Sequence, residues 1–264
     1  MVTSVERLVP DDLWQLFQDV VPPAPTRPQG GGRRRAGDRE VLAAILCVAT
    51  SGCTWRQLPP VFGASWQTVH RRFTAWARAR VGATPHRVVR DRLGERGDLD
   101  WSRCALDAVS VRATQGGLTG PNPTDRGTRG SKIHLITDRN GLSISVGVSA
   151  ATTPDSQALQ PLVRGIPPIR SRRGPRRRRP AKLHADKAYD HPHLRRWLRA
   201  RGITPRIVRR GVDSGERLGR HRWVSERTIS WLFGFRRLHR RDERRADHFL
   251  AIASALICYR QLTK

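Results

Sequence analysis

The chain has 264 residues, enough for one large domain or two small ones, and 38% of them are hydrophobic, enough to bury a core. A formal net charge of +28 excludes an enzyme tuned to neutral small molecules and points to nucleic acid. The excess is uneven, because residues 165–264 carry 28 Lys and Arg against 8 Asp and Glu, which leaves +8 for residues 1–164.

From the N-terminus, residues 5–21 read as one amphipathic helix with Pro10 and Asp11 at its start and Leu13, Trp14 and Phe17 inward. Residues 22–37 form a Pro/Gly/Arg linker. Asp38 is expected to cap a buried helix, Arg39 to Thr50, that stops at Gly52. Trp55 to Leu58 is a short helical turn, and Ser65 is an N-cap for a helix to about Arg80. On that helix Trp66, Val69, Phe73 and Trp76 share one face, while His70, Arg71, Arg72 and Arg78 fall elsewhere. Helix, tight turn and a helix with a basic side is the pattern of a helix-turn-helix. Residues 81–99 read as a further helix and a connection.

Then the period changes. Cys104 to Ala113 is a strand candidate containing Asp107, and residues 114–131 read as a Gly/Pro/Thr loop. Ile133 to Thr137 and Leu142 to Val148 are strands joined through Asn140-Gly141, a hairpin signal. Asp155 to Val163 is a helix, and residues 170–179 hold seven arginines in an exposed, mobile loop. Lys182 to Ala185 is a strand ending at Asp186, and Asp190 caps a helix from His191 to Arg201. Ile203 to Val208 is a strand. A helix around Glu226 follows, with Val224, Thr228, Trp231, Phe235 and Leu238 on one face at about 100° per residue. A final helix spans Asp247 to Leu262. Strands that alternate with helices imply a mixed sheet covered by helices.

The four cysteines, Cys47, Cys53, Cys104 and Cys258, show neither a CxxC pair nor a zinc spacing and read as thiols of a reducing compartment. No signal peptide is visible, and the longest apolar run, Val41 to Ala49, is too short to cross a bilayer. A cytoplasmic, nucleoid-associated protein without a membrane partner is expected.

Three acids stand in unusual places. Asp107 and Asp186 interrupt or end apolar strands, where a charge is costly unless paired, protonated or bound to metal. Glu226 is the only acid between Glu216 and Asp242, in a segment rich in arginine. If the two strands are parallel neighbours, the two aspartates emerge at one sheet edge, and Glu226 on a helix across that edge would complete a three-carboxylate cluster. Hard oxygen donors suit Mg²⁺ or Mn²⁺, and two such ions about 3.5–4 Å apart serve phosphodiester chemistry. Plainer roles are also open to these residues. Asp107 could bond a backbone amide, Asp186 could cap a turn, and Glu226 could pair with Arg222 one helical turn earlier.

The strand around Asp107, Gly130-Ser131-Lys132-Ile133-His134-Leu135, His184-Ala185-Asp186-Lys187-Ala188-Tyr189-Asp190 and Arg222-Trp223-Val224-Ser225-Glu226-Arg227 together resemble bacterial insertion-sequence DDE transposases, closest to the insertion-sequence-five family. Residues 39–76 resemble that group's N-terminal helix-turn-helix region. The resemblance covers nearly the whole chain. It implies an α/β fold, an RNase H-like mixed sheet flanked by helices over 100–264, with a basic loop at 168–181, preceded by an all-α DNA-binding domain over 1–95. It implies Asp107, Asp186 and Glu226 as ligands of two Mg²⁺ (or Mn²⁺) ions, and Arg222 as their arginine neighbour. The partners would be double-stranded DNA, as terminal inverted repeats and target, with a homo-oligomer in the DNA complex. Phosphate contacts are expected from Arg71, Arg72, Lys132, Arg176, Arg177, Arg178, Arg179, Lys187, Arg222, Arg227 and Arg237. A repressor derived from a transposase and an RNase H-like nuclease that cuts without joining are the alternatives.

The chain departs from the family pattern at Ala108, Pro154 and Ala188, at Gly219 and Phe233 where the signature has tyrosine and lysine, and at Pro85 within a stretch expected to be helical. Together these departures raise the hypothesis of a weakened copy.

Overall fold

Pro10 lacks a backbone donor and disfavours helical geometry in the residue before it, so the single helix expected over 5–21 is two. In the computed structural model these are α1 (Ser4–Leu8), closed by a capping box between Thr3 and Glu6, and α2 (Asp11–Gln18). The structure describes residues 3–23, 35–123, 125–209, 211–212 and 216–264, and of 216–222 the backbone alone. The linker expected at 22–37 therefore falls largely outside the described residues, as does the side chain of Arg222.

Helix α3 (Asp38–Ser51) buries Val41 to Leu46 and ends at Gly52, whose φ of 73° needs glycine. Its N-cap is Gly37 rather than Asp38, and the Asp38 carboxylate instead pairs with Arg35 and Arg72. A 3-10 turn at Trp55–Gln57 leads to α4 (Trp66–Arg78), capped by Ser65 as expected, with Val69, Phe73 and Trp76 buried. In α5 (Ala83–Arg96) Pro85 sits in the first turn, where no intrahelical donor is required, so the helix forms despite it.

Five principal strands follow. They are β1 (Cys104–Ala113), β3 (Arg129–Thr137), β4 (Ser143–Ala150), β5 (Lys182–Ala185) and β6 (Thr204–Ile207), with a two-residue β2 (Gly120–Pro121) before β3. The segment expected to be a loop over 114–131 thus contains β2 and the start of β3. Gly130 is there for closeness, since a Cβ on it would lie 2.9 Å from the carbonyl oxygen of Val111. Strand β3 is antiparallel to both of its neighbours β4 and β1, and β1, β5 and β6 are parallel. Helix α6 (Asp155–Arg164) connects β4 to β5, and α7 (Pro192–Arg199) connects β5 to β6. This is the RNase H-like mixed sheet, preceded by a helical region.

Helix α7 has Pro192 at its first position and His191 as N-cap; Asp190, expected to cap it, accepts from Arg195 at 2.8–2.9 Å instead. Helix α8 (Glu216–Phe233) buries Val224, Ser225, Thr228 and Leu232. Phe235 and Leu238 do not extend its face as expected. The helix stops at Phe233, and both residues reach the core through a 3-10 turn at Arg236–Leu238. A short strand absent from the sequence reading, β7 (Arg240–Arg241), then adds to β1 at Arg112–Ala113.

Helix α9 (Ala246–Leu262) is buried on almost every side and packs against α5 and β4. Phe249 of α9 meets Phe73 of α4 with ring centroids 4.7 Å apart, so the N-terminal helices share one apolar core with the C-terminal helix. Among the described residues no helix is long and apolar enough to cross a membrane.

Candidate active site

The register of two strands sets the site. Ala105 of β1 pairs with His184 of β5, so two residues further along parallel strands Asp107 and Asp186 stand level with each other. Both are extended residues of one parity and therefore lie on one face of the sheet. The condition for a shared carboxylate edge, adjacent and parallel strands, is met.

Asp107 is buried, and its Oδ1 accepts from the Ala108 amide at 2.8 Å. Asp186 accepts from the Ala188 amide at 2.8 Å and caps a 3-10 turn at Lys187–Tyr189. The plainer roles open to both residues are thus present. They do not exhaust the groups, since a carboxylate has about four acceptor positions.

Helix α8 lies across this edge. Ser225 is buried and donates through its hydroxyl to Asp107 Oδ2 at 3.1 Å, which places the residue next to Glu226 on the first aspartate. Glu226 itself is exposed. Among the described residues, no three His, Cys, Asp or Glu side chains are gathered to hold a metal ion.

The β3–β4 turn clamps α8 from the other side. The Thr228 hydroxyl donates to the Gly141 carbonyl at 2.6 Å and Arg227 donates to the Asn140 carbonyl at 2.5 Å. Gly141 has φ 86°, and an added Cβ would meet Arg227 and Thr228 at 3.0 Å. The turn is shaped by Asp138, whose carboxylate accepts amides of Asp100, Asn140 and Leu142 at 2.7–3.0 Å. Burial nevertheless pushes the Asp138 carboxyl up to about 6. The sequence signal here was read only as a hairpin; its second use, as a seat for α8, has no local signature.

Several of the cations expected to meet phosphates are engaged by groups of the protein itself. The Arg237 side chain is 7% exposed, pairs with Glu243 at 2.7 Å and donates to the Cys53 carbonyl. Arg72 is held by Asp38 and the Ala36 carbonyl. Arg227 lies over the rings of Trp223 and Trp231, 4.6 and 4.7 Å from their centroids. Lys132 pairs with Asp155 at 2.9 Å and donates to the Thr153 carbonyl. Arg176 pairs with Asp91 at 3.0 Å. Arg71, Arg177, Arg178, Arg179 and Lys187 are exposed, although Arg177 lies over the Trp101 ring and Arg179 donates to the Arg201 carbonyl at 3.3 Å. The arginine loop is not wholly loose, because Ile169 and Arg177 form an isolated antiparallel bridge across it. It also enters the N-terminal end of β5, whereas Asp186 follows the C-terminal end.

A family model described as a transposase DDE domain matches residues 101–260. The chain belongs to that family. A second model, described as "Putative transposase of IS4/5 family", matches residues 9–84 of this transposase. Among its relatives is the "Putative transposase for insertion sequence element IS402" of Burkholderia cepacia. That protein is 48% identical over 149 residues, which are 55% of this chain and 71% of the relative. An uncharacterized 16.2 kDa protein of the same insertion element is 35% identical over 42% of this chain and 76% of its own length. Among solved structures, the piggyBac transposase synaptic complex with hairpin DNA covers 99% of this chain and 76% of that one, at 10% identity and a TM-score of 0.47. DDE transposase domains generally use divalent metal ions.

Proposed function

We propose that this transposase binds the ends of its insertion sequence, hydrolyses the 3′ strand ends and joins them to target DNA. Residues 1–95 would serve end recognition and residues 100–264 the chemistry. The observation that carries the reading is the level pair Asp107 and Asp186, with Ser225 of the Glu226 helix bonded to Asp107. Two oxygen-donor residues level on adjacent strands fit a hard divalent cation such as Mg²⁺. Asp107 and Asp186 would hold it, and Glu226 would join them. Bound there, such ions supply Lewis acidity and an activated water or 3′-hydroxyl.

The chain's own part is positional. Ser225 and the 138–141 turn fix α8 against the sheet, with Glu226 one residue along from the contact to Asp107. Exposed Lys187, next to Asp186, would neutralise a phosphate near the cut. Arg222, whose side chain lies outside the described residues, would do so from α8.

The test is Mg²⁺-dependent cleavage and joining of inverted-repeat DNA by Asp107→Asn, Asp186→Asn and Glu226→Gln. Each is expected to lower cleavage by more than the roughly 10–100-fold typical of residues that only support a metal ligand. Unchanged cutting in Asp107→Asn and Glu226→Gln would overturn the three-carboxylate assignment. Cutting without joined product would instead indicate a nuclease, and tight binding without cutting a repressor.

A further inference from the structure

The carboxylates occupy one end of the sheet face, and a basic cleft occupies the other. Arg103, Arg139, Lys182, His184 and Arg206, with Ser102, line a cleft of about 520 Å³. Lys182 opens β5, Ser102 and Arg103 precede β1, and Arg139 lies in the β3–β4 turn, so the cleft is at the N-terminal ends of the parallel strands. Lys182, His184 and Asp186 alternate on a single face, and Arg206 pairs in register with His184. Four residues of extended chain put Lys182 about 13 Å from Asp186. Val224 of α8 packs over Ala105 and His184 between the two ends.

The arginine loop continues this cleft. Arg177 lies 5.8 Å over the Trp101 ring, and the Ala181 amide donates to the Trp101 carbonyl at 2.9 Å, which moors the loop beside Ser102 and Arg103. Exposed Arg178 and Arg179 then lead directly to Lys182. Arg139 is partly occupied by Asp100 at 3.3 Å, and the buried Asp138 shares an adjoining cavity with Arg103, Arg139 and His184. No acid lines the cleft among the described residues.

We propose that this cleft and the adjoining arginine loop form a second, sequence-independent binding surface for the phosphates of duplex DNA, away from the scissile position. It rests on the reading of the chain as a DNA-cutting transposase, and it divides that protein's cationic surface in two. Lys187 serves the catalytic edge, while Arg103, Lys182, Arg206 and the loop hold a more distant stretch of backbone.

The test measures duplex binding in EDTA, where cleavage chemistry does not enter, for wild type and the triple variant Arg103→Gln/Lys182→Gln/Arg206→Gln. Each phosphate contact contributes about 0.9 to the log–log salt slope, so the triple variant should lose about 2 to 3 of that slope. Its affinity should fall equally for inverted-repeat and unrelated duplex. Arg260→Gln, an exposed arginine in the last turn of α9, is the charge control and should leave the slope intact. A cysteine-linked photocrosslinker at Lys182→Cys, at the end of the cleft farthest from Asp186, should label DNA outside the cleavage position, with wild type carrying the same reagent as the control for Cys47 and Cys53. An unchanged slope in the triple variant, or a crosslink at the cleavage position, would overturn the proposal while leaving the transposase reading intact. A wild type that binds no duplex would overturn both, and in that case the Asp107→Asn cleavage comparison fails as well.

Discussion

Replacing Arg237 by methionine should damage stability and spare the salt dependence of DNA binding. Arg237 and Glu243 have side-chain exposures of only 7% and 8%, with Nη2 and Oε1 2.7 Å apart. Burial already pushes the Glu243 carboxyl above the usual glutamate range, and Arg237 is the group that pulls it back down. Removing one partner of such a pair typically costs about 3–5 kcal/mol, because the other charge is left buried and uncompensated. At about 2–4 °C per kcal/mol for a chain of this size, the melting temperature should fall by on the order of 10 °C. The loss has a built-in limit, since Glu243 can take up a proton; the variant should therefore be less impaired at pH 5 than at pH 8. The double variant Arg237→Met/Glu243→Leu should recover much of the loss, and the double-mutant cycle isolates the coupling. Thermal melts at both pH values and a salt titration of duplex binding are sufficient. A single variant that melts like wild type but loses about one unit of salt slope would refute this reasoning and restore Arg237 to the DNA-facing side.

Gly94→Ala should destabilise the chain although alanine favours a helix by about 1 kcal/mol. An added Cβ would stand 1.9 Å from the Arg170 carbonyl oxygen, and overpacking of this kind costs about 1–3 kcal/mol, so a melt at or above wild type would contradict the packing of α5 on that segment. Gly141→Ala should lower cleavage as well as stability, because φ is 86° and the new Cβ presses on Arg227 and Thr228 of the Glu226 helix. Full activity at saturating Mg²⁺ would show that this turn does not seat α8. Acidification should destabilise the fold between about pH 6.5 and 4 through His248, which burial pushes down to about 4 and whose neighbour Asp247 acts the other way. The folded state binds fewer protons there than the unfolded one, so stability falls as pH falls, by up to about 3 kcal/mol for this group. His248→Leu should flatten that part of the urea-melting profile, and an identical pH slope in both proteins would exclude His248 as its source.

The strands that carry the aspartates were legible because they are long enough, or bounded sharply enough, to show their period. Cys104–Ala113 and Lys182–Ala185 run as expected, and their parallel direction follows from the helical crossover between β4 and β5. Partners were less legible than elements. Asp38 and Asp190 stand where caps are expected, yet both carboxylates turn to arginines instead, at Arg72 and Arg195. Local sequence offers a cap to whichever acid precedes a helix, but long-range arginine competes for the same oxygens and wins here. Strand β7 left no trace because two residues have no period. It is held in place by Arg241, whose guanidinium reaches the Gly117, Leu118 and Arg244 carbonyls and the Ser131 hydroxyl.

The same competition bears on the charge that first pointed to nucleic acid. Arg72, Arg90, Arg227, Arg237 and Arg241 bind carbonyls, carboxylates or rings of the protein itself, and burial, aided by the Arg87 charge, holds Arg90 down to about 10. Their planar, multiply donating heads satisfy buried acceptors that a lysine could not reach in pairs. A net charge of +28 therefore overstates the surface available to DNA. Of the cations that stay exposed on the sheet side, Lys187 stands beside the aspartates and Arg178, Arg179, Lys182 and Arg206 toward the opposite end. Because strand direction separates these groups, a loss of charge at one end and at the other should have different consequences. The first acts where the phosphate is cut, and the second acts on how firmly the duplex is held while it is cut.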